Sequence, residues 1–392
     1  MKRALANLSD VCELIVDCEH KTAPSQEIGY PSIRTPNVGR GRLILDEVKR
    51  VSEKTYQAWT RRAVPQAGDL VLAREAPAGN VAIIPKNVKV CLGQRTVLIR
   101  PDRSKVDPHY LLYLLLESKT QARLLSYGSG ATVAHINMSD IRTLPLPELP
   151  SLPTQRKVGA ILSAYDELFE KNLRRIKVLE EMAQTIYREW FVHYRFPGHE
   201  KVKMVESPLG KIPEGWKVVR LGDVIELAYG KALKAEDRKG GSVPVYGSSG
   251  IVGFHNTALV KGPGIIVGRK GNIGMVYWST RDFFPIDTVF YVRTRLPLHY
   301  VFYNLRTQNF ISKDTAVPGV NRNQAYSLPF FLPSACIMDQ FVTLVMDFFE
   351  AMENLRLRND NVRRTRGLLL PKLMSGEIDV DALDLDGGNV PS

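Results

Sequence analysis

The chain has 392 residues, and its 53 Lys and Arg outnumber 41 Asp and Glu for a formal net charge of +12. That length fits two or three domains of ordinary globular composition, and the basic excess favours a polyanionic partner, nucleic acid before membrane. Four cysteines, Cys12, Cys18, Cys91 and Cys336, are too few for a disulfide framework and lack zinc-ligand spacing, so a reducing, cytoplasmic setting is expected.

At the N-terminus, Asn7, Ser9, Asp10 and Glu13 interrupt any signal-peptide apolar core. Residues 1–150 then hold short β-branched runs punctuated by Gly, Pro and Asn. Leu70-Val71-Leu72, Val81-Ala82-Ile83-Ile84 and Val97-Leu98-Ile99 predict short strands of a first β-rich domain. A short helix is expected over 107–126. Its apolar run from Leu111 to Leu116 is far short of the ~20 residues a bilayer span needs.

Residues 151–204 form a first helical region, rich in Glu, Lys, Arg and Leu. Val158, Ile161, Tyr165 and Leu168, then Ile176, Leu179, Ala183, Ile186 and Trp190, recur at gaps of three and four, the coiled-coil seam. The step from Leu168 through Asn172 to Ile176 reads as a stutter. Residues 205–335 return to β texture, with runs at 264–267 and 288–292 and a short helix over 297–311. Residues 336–392 hold a second helical region and an acidic tail carrying Glu377, Asp379, Asp381, Asp384 and Asp386, which should avoid DNA. In this second region Phe341, Val345, Phe348, Met352, Leu355, Asn359, Val362 and Arg366 keep the seam alternation more regularly.

The two halves repeat each other. Leu8-Ser9-Asp10-Val11 returns as Leu221-Gly222-Asp223-Val224, and Pro31 as Pro244, at an offset of 213. Ala73-Arg74 matches Gly268-Arg269 at 195, Leu144-Pro145 matches Leu328-Pro329 at 184, and Gln155 matches Gln340 at 185. Ordered matches with few offset changes indicate an internal duplication. A helix of ~40 residues spans about 60 Å and cannot bury its stripe alone. The fold class is therefore α+β: two β-rich domains separated by two long antiparallel coiled-coil helices, a tandem repeat with pseudo-two-fold symmetry. Asn172 and Asn359 either sit on the seam and fix its register or point to solvent at the stutter.

Catalytic signatures are missing. There is no GxxxxGK[ST], GxSxG, HExxH or Asn/Asp-Pro-Pro-aromatic tetrapeptide, and Gly128-Ser129-Gly130 is only a fragment of a dinucleotide fingerprint. Glu47-Val48-Lys49 has a nuclease-like ending that is background in a chain this rich in charge. His193 and His199 lack partners at metal spacing and read as surface residues. Binding chemistry is present instead. In the first half the candidates for DNA contact are Arg34, Thr35, Asn37, Arg40, Arg42 and Arg74. In the second half they are Tyr246, Ser248, Ser249, Arg269, Lys270 and Asn272. Arg reads guanine bidentately, Asn reads adenine, and neighbouring glycines let backbone N–H groups approach phosphates. The bland alternative is a pair of turn arginines, solvated or held by a carboxylate such as Glu75. The repeated segments 130–137 and 316–323 are either DNA-facing loops or hinges, with the hinge favoured. Lys171, Arg174, Arg175 and Lys177 read as a solvated helix face.

These residues resemble the specificity subunit of type I restriction-modification systems. Gly210-Lys211-Ile212-Pro213-Glu214-Gly215-Trp216 followed by Leu221-Gly222-Asp223 is similar to the opening of a second target-recognition domain. Leu144-Pro145-Leu146-Pro147 through Gln155-Arg156-Lys157, then Asn172-Leu173-Arg174-Arg175 and Leu179-Glu180-Glu181-Met182-Ala183-Gln184, is similar to the first conserved helical region. Leu369-Leu370-Pro371-Lys372-Leu373-Met374-Ser375-Gly376-Glu377 resembles the end of the second. The first half lacks a Gly-x-x-Pro-x-Gly-Trp opening. The resemblance makes residues 1–150 and 205–335 target-recognition domains on spacer helices. It implies a non-catalytic subunit that binds a split double-stranded DNA target with an unspecified spacer. It also implies two methylation subunits as partners, with restriction subunits joining them. S-adenosylmethionine, ATP and Mg belong to those partners and not to this chain. On this reading Leu168, Asn172, Ile176, Leu179, Phe348, Leu355 and Asn359 form the helix seam or partner face. Competing readings are a free-standing two-domain DNA-binding regulator, an orphan methyltransferase with an unrecognised catalytic domain, and a pure assembly scaffold.

Overall fold

The structure is a computed structural model that describes residues 6–128, 135–310 and 319–383. It divides into two compact units, Met1–Lys171 with Asn359–Ser392, and Asn172–Arg358.

In the first unit the strands are β1 (Cys12–Asp17), β2 (Tyr30–Ile33), β3 (Gly41–Arg42), β4 (Arg50–Val51), β5 (Leu70–Ala73), β6 (Val81–Ile83), β7 (Cys91–Leu92) and β8 (Thr96–Pro101). The helices are α1 (Glu53–Trp59), α2 (Pro108–Leu116), α3 (Ser118–Ser126) and α4 (Met138–Arg142). Long helix α5 (Leu152–Tyr187) starts here and passes into the second unit. The main sheet has the order β1-β8-β5-β6-β3, and a smaller one β4-β2-β7. Strand β5 is buried throughout because both its faces are covered. Leu70 and Leu72 join α2 in one core cluster, and Val71 and Ala73 join Ile33 and Val90 in another. Helix α2 is nearly all buried, which is why its apolar run shows no polar face. Its start is well specified, because Asp107 accepts hydrogen bonds from the backbone of His109 and Tyr110 and Pro108 needs no donor there.

The second unit holds β9 (Met204–Ser207), β10 (Gly210–Pro213), β11 (Lys217–Arg220), β12 (Ile225–Tyr229), β13 (Val243–Gly247), β14 (Gly250–His255), β15 (Gly264–Gly268), β16 (Val276–Ser279), β17 (Phe284–Pro285), β18 (Val289–Thr294) and β19 (Pro329–Leu332). Its helices are α6 (Leu221–Val224), α7 (Leu298–Thr307) and α8 (Arg322–Ser327). Long helix α9 (Ala335–Met374) begins in this unit and ends in the first. The main sheet runs β12-β18-β15-β16 and the smaller one β14-β13-β17.

The duplication read from the sequence is a duplication of topology. In each unit the first long strand pairs the last, and the last pairs the middle hairpin. In each smaller sheet one strand has an antiparallel and a parallel neighbour, β2 with β4 and β7, β13 with β14 and β17. Individual backbone bonds recur too. Leu8 N–H donates to Leu144 O at 2.9 Å, and Leu221 N–H to Leu328 O at 2.8 Å. Gly79 N–H donates to Ala73 O at 2.8 Å, and Gly274 N–H to Gly268 O at 2.9 Å.

The long helices pack antiparallel within each unit. In the first, Arg366 Nε lies 3.3 Å from Asp166 Oδ1, the Arg363 guanidinium lies over the Phe169 ring, and Asn359 Nδ2 donates to Phe169 O at 3.3 Å. In the second, Tyr187, Trp190 and Phe191 pack on Phe341. Helix α5 closes on a π turn, Arg188–Val192.

The seam on α5 differs in phase from the sequence reading. Leu168 is 45% exposed, and the neighbouring Phe169 takes the packed position. Adjacent apolar pairs, Ile161-Leu162 and Leu168-Phe169, offer two phases. Leu162 is fully buried and wins the first of them. Leu162, Tyr165, Phe169, Asn172, Ile176, Leu179 and Ala183 then alternate fours and threes without a stutter. Asn172 and Asn359 are 2% and 4% exposed, so they face the interior and not solvent. Leu355 is buried, and Ile176, Leu179 and Phe348 are partly buried against the second unit's core.

Candidate nucleic-acid interface

The sequence candidates separate into three groups. Thr35, Arg74 and Tyr246 are buried. Asn37, Ser248 and Arg269 are half-buried, and Arg34, Arg40, Arg42, Ser249, Lys270 and Asn272 are exposed. Tyr246 sits edge-on to Phe283 in the interior, and burial pushes its phenol above the usual range.

In the first unit the candidates diverge. Asn37 Nδ2 donates to Ile44 O at 3.1 Å and holds its own turn. Arg40 Nη2 reaches Leu116 O at 3.4 Å, and Arg42 Nη1 lies 2.5 Å from Glu170 on α5. Arg34 remains exposed with no ion pair among the described residues. In the second unit two loops that are distant in sequence meet. A Cβ on Gly271, at φ +80°, would lie 2.8 Å from Ser248 Oγ, and Tyr277 O–H donates to Ser248 O at 2.9 Å. Ser248, Ser249, Lys270 and Asn272 therefore share one surface.

Arg74 and Arg269 occupy the same place in the two copies. Arg74 N–H donates to Arg95 O at 2.9 Å and Arg269 N–H to Thr288 O at 2.9 Å. Their carbonyls accept from Ile136 at 3.2 Å and from Val320 at 3.0 Å. The side chains have opposite surroundings. Arg74 is 7% exposed. Its Nη1 lies 2.7 Å from Asp17 Oδ2, and its Nε donates to Ile136 O at 2.8 Å. Its Nη2 lies 2.7 Å from His135 Nε2. A guanidinium only donates, so Nε2 accepts and Nδ1 carries the proton toward Glu75 Oε1 at 2.5 Å. Glu75 also takes Arg95, at 2.9 Å. The carboxylate facing Arg74 is therefore Asp17, and Glu75 serves its neighbours.

Arg269 has no carboxylate partner among the described residues. Its guanidinium carbon lies 5.2 Å from the Tyr229 ring centroid and 5.9 Å from that of Phe290, and its buried Nε has no hydrogen-bond partner among the described residues. Arg322, at the start of α8, lies 5.0 Å from the same Tyr229 centroid and 5.9 Å from that of Tyr326. The register explains the contrast. Asp17 pairs with Val97 and Tyr229 with Phe290, and those partners sit opposite the equivalent Leu72 and Val267. Asp17 and Tyr229 thus fill one rung. Sequence reasoning missed Tyr229, and it met Arg322 only within the repeated segment 316–323, where the hinge was favoured over DNA contact. The irregularity in β1 between Cys12 and Leu14 shifts the offset from 213 to 212 and hides the match.

Parts of both repeated segments, 130–134 and 316–318, lie outside the described residues, as do Asp384 and Asp386. The described ends, His135-Ile136-Asn137 and Gly319-Val320-Asn321, are stitched to the two arginine backbones as given above. Asp381 is held against α5, accepting from Thr154 Oγ1 at 2.7 Å. Among the described residues no three His, Cys, Asp or Glu converge where a metal could be held, and no helix is long and apolar enough to cross a membrane.

Two β-rich units of matching topology, each with an arginine fixed at one sheet end, define a protein with a duplicated domain on long helices. The family model described as the type I restriction modification DNA specificity domain matches residues 5–181 and 213–355. The chain belongs to that family and carries its domain twice. It is similar to the type I restriction enzyme MjaIX specificity subunit of Methanocaldococcus jannaschii, 22% identical over 370 residues, covering 86% of this chain and 83% of the relative. It is also similar to the HindI specificity subunit of Haemophilus influenzae, 20% identical, covering 89% of this chain and 95% of that one. Its fold is similar to the crystal structure of a type I system S subunit from M. genitalium, with a TM-score of 0.59 at 16% identity over 94% of this chain and 95% of the other.

Proposed function

We propose that this chain is the DNA sequence-recognition subunit of a type I restriction-modification complex. Each β-rich unit reads one part of a bipartite target, and the bases between the parts are not read. The chain itself carries out no methyl transfer or cleavage. It scaffolds methylation subunits, which hold S-adenosylmethionine, and restriction subunits, which use ATP and magnesium. The observation that carries this reading is the duplication. The family match falls twice on the chain, on stretches whose sheets repeat the same strand order. A target in one piece needs only one such domain.

A groove on the helices of the second unit supports the scaffold role. Val178, Leu179, Ala351 and Leu355 line it together with Arg174, Arg175 and Arg358. An amphipathic helix with acidic flanks, supplied by a methylation subunit, matches that surface in shape class and charge.

The test is coexpression with a type I methylation subunit of the same source. The two should copurify, and together transfer labelled methyl groups from S-adenosylmethionine to DNA, while the chain alone transfers none. Methyl transfer by the chain alone overturns the non-catalytic reading. Tight site-specific binding with no copurification would make it a free-standing regulator.

A further inference from the structure

We propose that Arg269 and Arg322, held on the Tyr229 ring, form a clamp for a backbone phosphate of the DNA bound by the second unit. The proposal deepens the recognition reading and rests on it.

Two cations on one ring repel each other, and the ring quadrupole offsets only part of that repulsion. Proteins ordinarily place a carboxylate beside such a pair. Here neither arginine makes an ion pair among the described residues, and Arg269 Nε is buried without a hydrogen-bond partner. Tyr229 itself is 48% exposed, so the cluster opens to solvent. The matching rung of the first unit shows what closure looks like. There Asp17 neutralises Arg74 at Nη1, and Ile136 O and His135 accept from Nε and Nη2. The second unit has exchanged that carboxylate for a ring, and no carboxylate among the described residues compensates the positive charge. The missing anion is then supplied from outside. Phosphate suits the site better than a base edge. Arg269 is pinned across two rings, Tyr229 and Phe290, which fixes its direction. Two guanidiniums on one ring offer charge and many donors but no acceptor to discriminate among bases. Lys270 and Asn272 continue the exposed polar surface alongside.

A phosphate contact has a signature that a base contact lacks. Its loss weakens binding about equally on all sequences and lowers the salt slope by about one ion. The experiment titrates the full chain with a mixed-sequence DNA duplex across a range of salt. The unaltered chain is compared with Arg322→Gln, Arg269→Gln and Tyr229→Asp, and thermal unfolding is recorded in parallel. Arg322→Gln is expected to reduce affinity about tenfold with a shallower salt slope and an unchanged melting temperature. Tyr229→Asp supplies an internal carboxylate and should do the same. Variants that bind with the unaltered slope, or that lose affinity for some sequences only, overturn the clamp. Failure of the unaltered chain to bind any duplex at low salt overturns the recognition reading itself.

Discussion

At one rung of the main sheet, the first unit has Asp17 facing Arg74 and the second has Tyr229 facing Arg269. The backbone around each arginine is the same, down to which carbonyl its N–H meets. The comparison teaches that the backbone frame fixes where the guanidinium begins, while a single strand residue decides what it can do. With a carboxylate opposite, the arginine becomes part of the interior. With a ring opposite, it keeps its charge available. A duplicated fold can therefore hold one copy of a side chain for stability and the other for binding.

The largest expected effect separates the units by chemistry. Burial raises the Cys91 thiol to about 11 and, with Asp102 adding to it, Cys12 to about 12; Cys336 is exposed. At pH 8 those two first-unit thiols are protonated, with a thiolate fraction on the order of 10⁻³ or less. Alkylation should therefore mark Cys336 first and the half-buried Cys12 and buried Cys91 slower by orders of magnitude, until the first unit unfolds. Mass spectrometry of timed samples checks this, and equal rates would show that the first unit opens readily. Asp17→Ala comes next. It strands a buried guanidinium, so the first unit should lose about 3–5 kcal/mol, read as earlier labelling of Cys12 and Cys91 in a urea series. Asp17→Leu with Arg74→Met removes both charges and should recover most of that loss. The smallest effect is that of Tyr229→Ala, which removes one ring beneath Arg269 while Phe290 remains. About 1 kcal/mol is expected, with Cys12 and Cys91 labelling unchanged. A loss as large as that of Asp17→Ala would mean that the two rungs carry equal structural weight.

The strands at 70–73, 81–83 and 96–101, both long helices and the duplication were legible because each rests on local texture or periodicity. The seam phase was not, because Leu168 and Phe169 are both apolar and only packing chooses between them. The partner of Arg74 was not legible either. Glu75 is adjacent in sequence, yet Asp17 lies 57 positions away and is brought in by strand pairing. Tyr229 escaped because a bulge breaks the alignment, and its pairing with Arg322 escaped because a cation over a ring leaves no spacing rule in the sequence. Tyr246, prominent in its Gly-rich loop, proved to be an interior residue facing Phe283.

The first unit is built from both sides of the second. Residues through Lys171 are completed by those from Asn359 onward, and Leu370, Leu373 and Val380 lie in the same core as Leu8 and Tyr110. The second unit is one uninterrupted stretch. A ribosome therefore delivers everything the second unit needs before the first can close. The nascent first unit must wait with part of its core uncovered, while some two hundred residues pass. The domain begun first is finished last, and a chain cut short after Arg358 would leave it, and not its neighbour, without its closing helix.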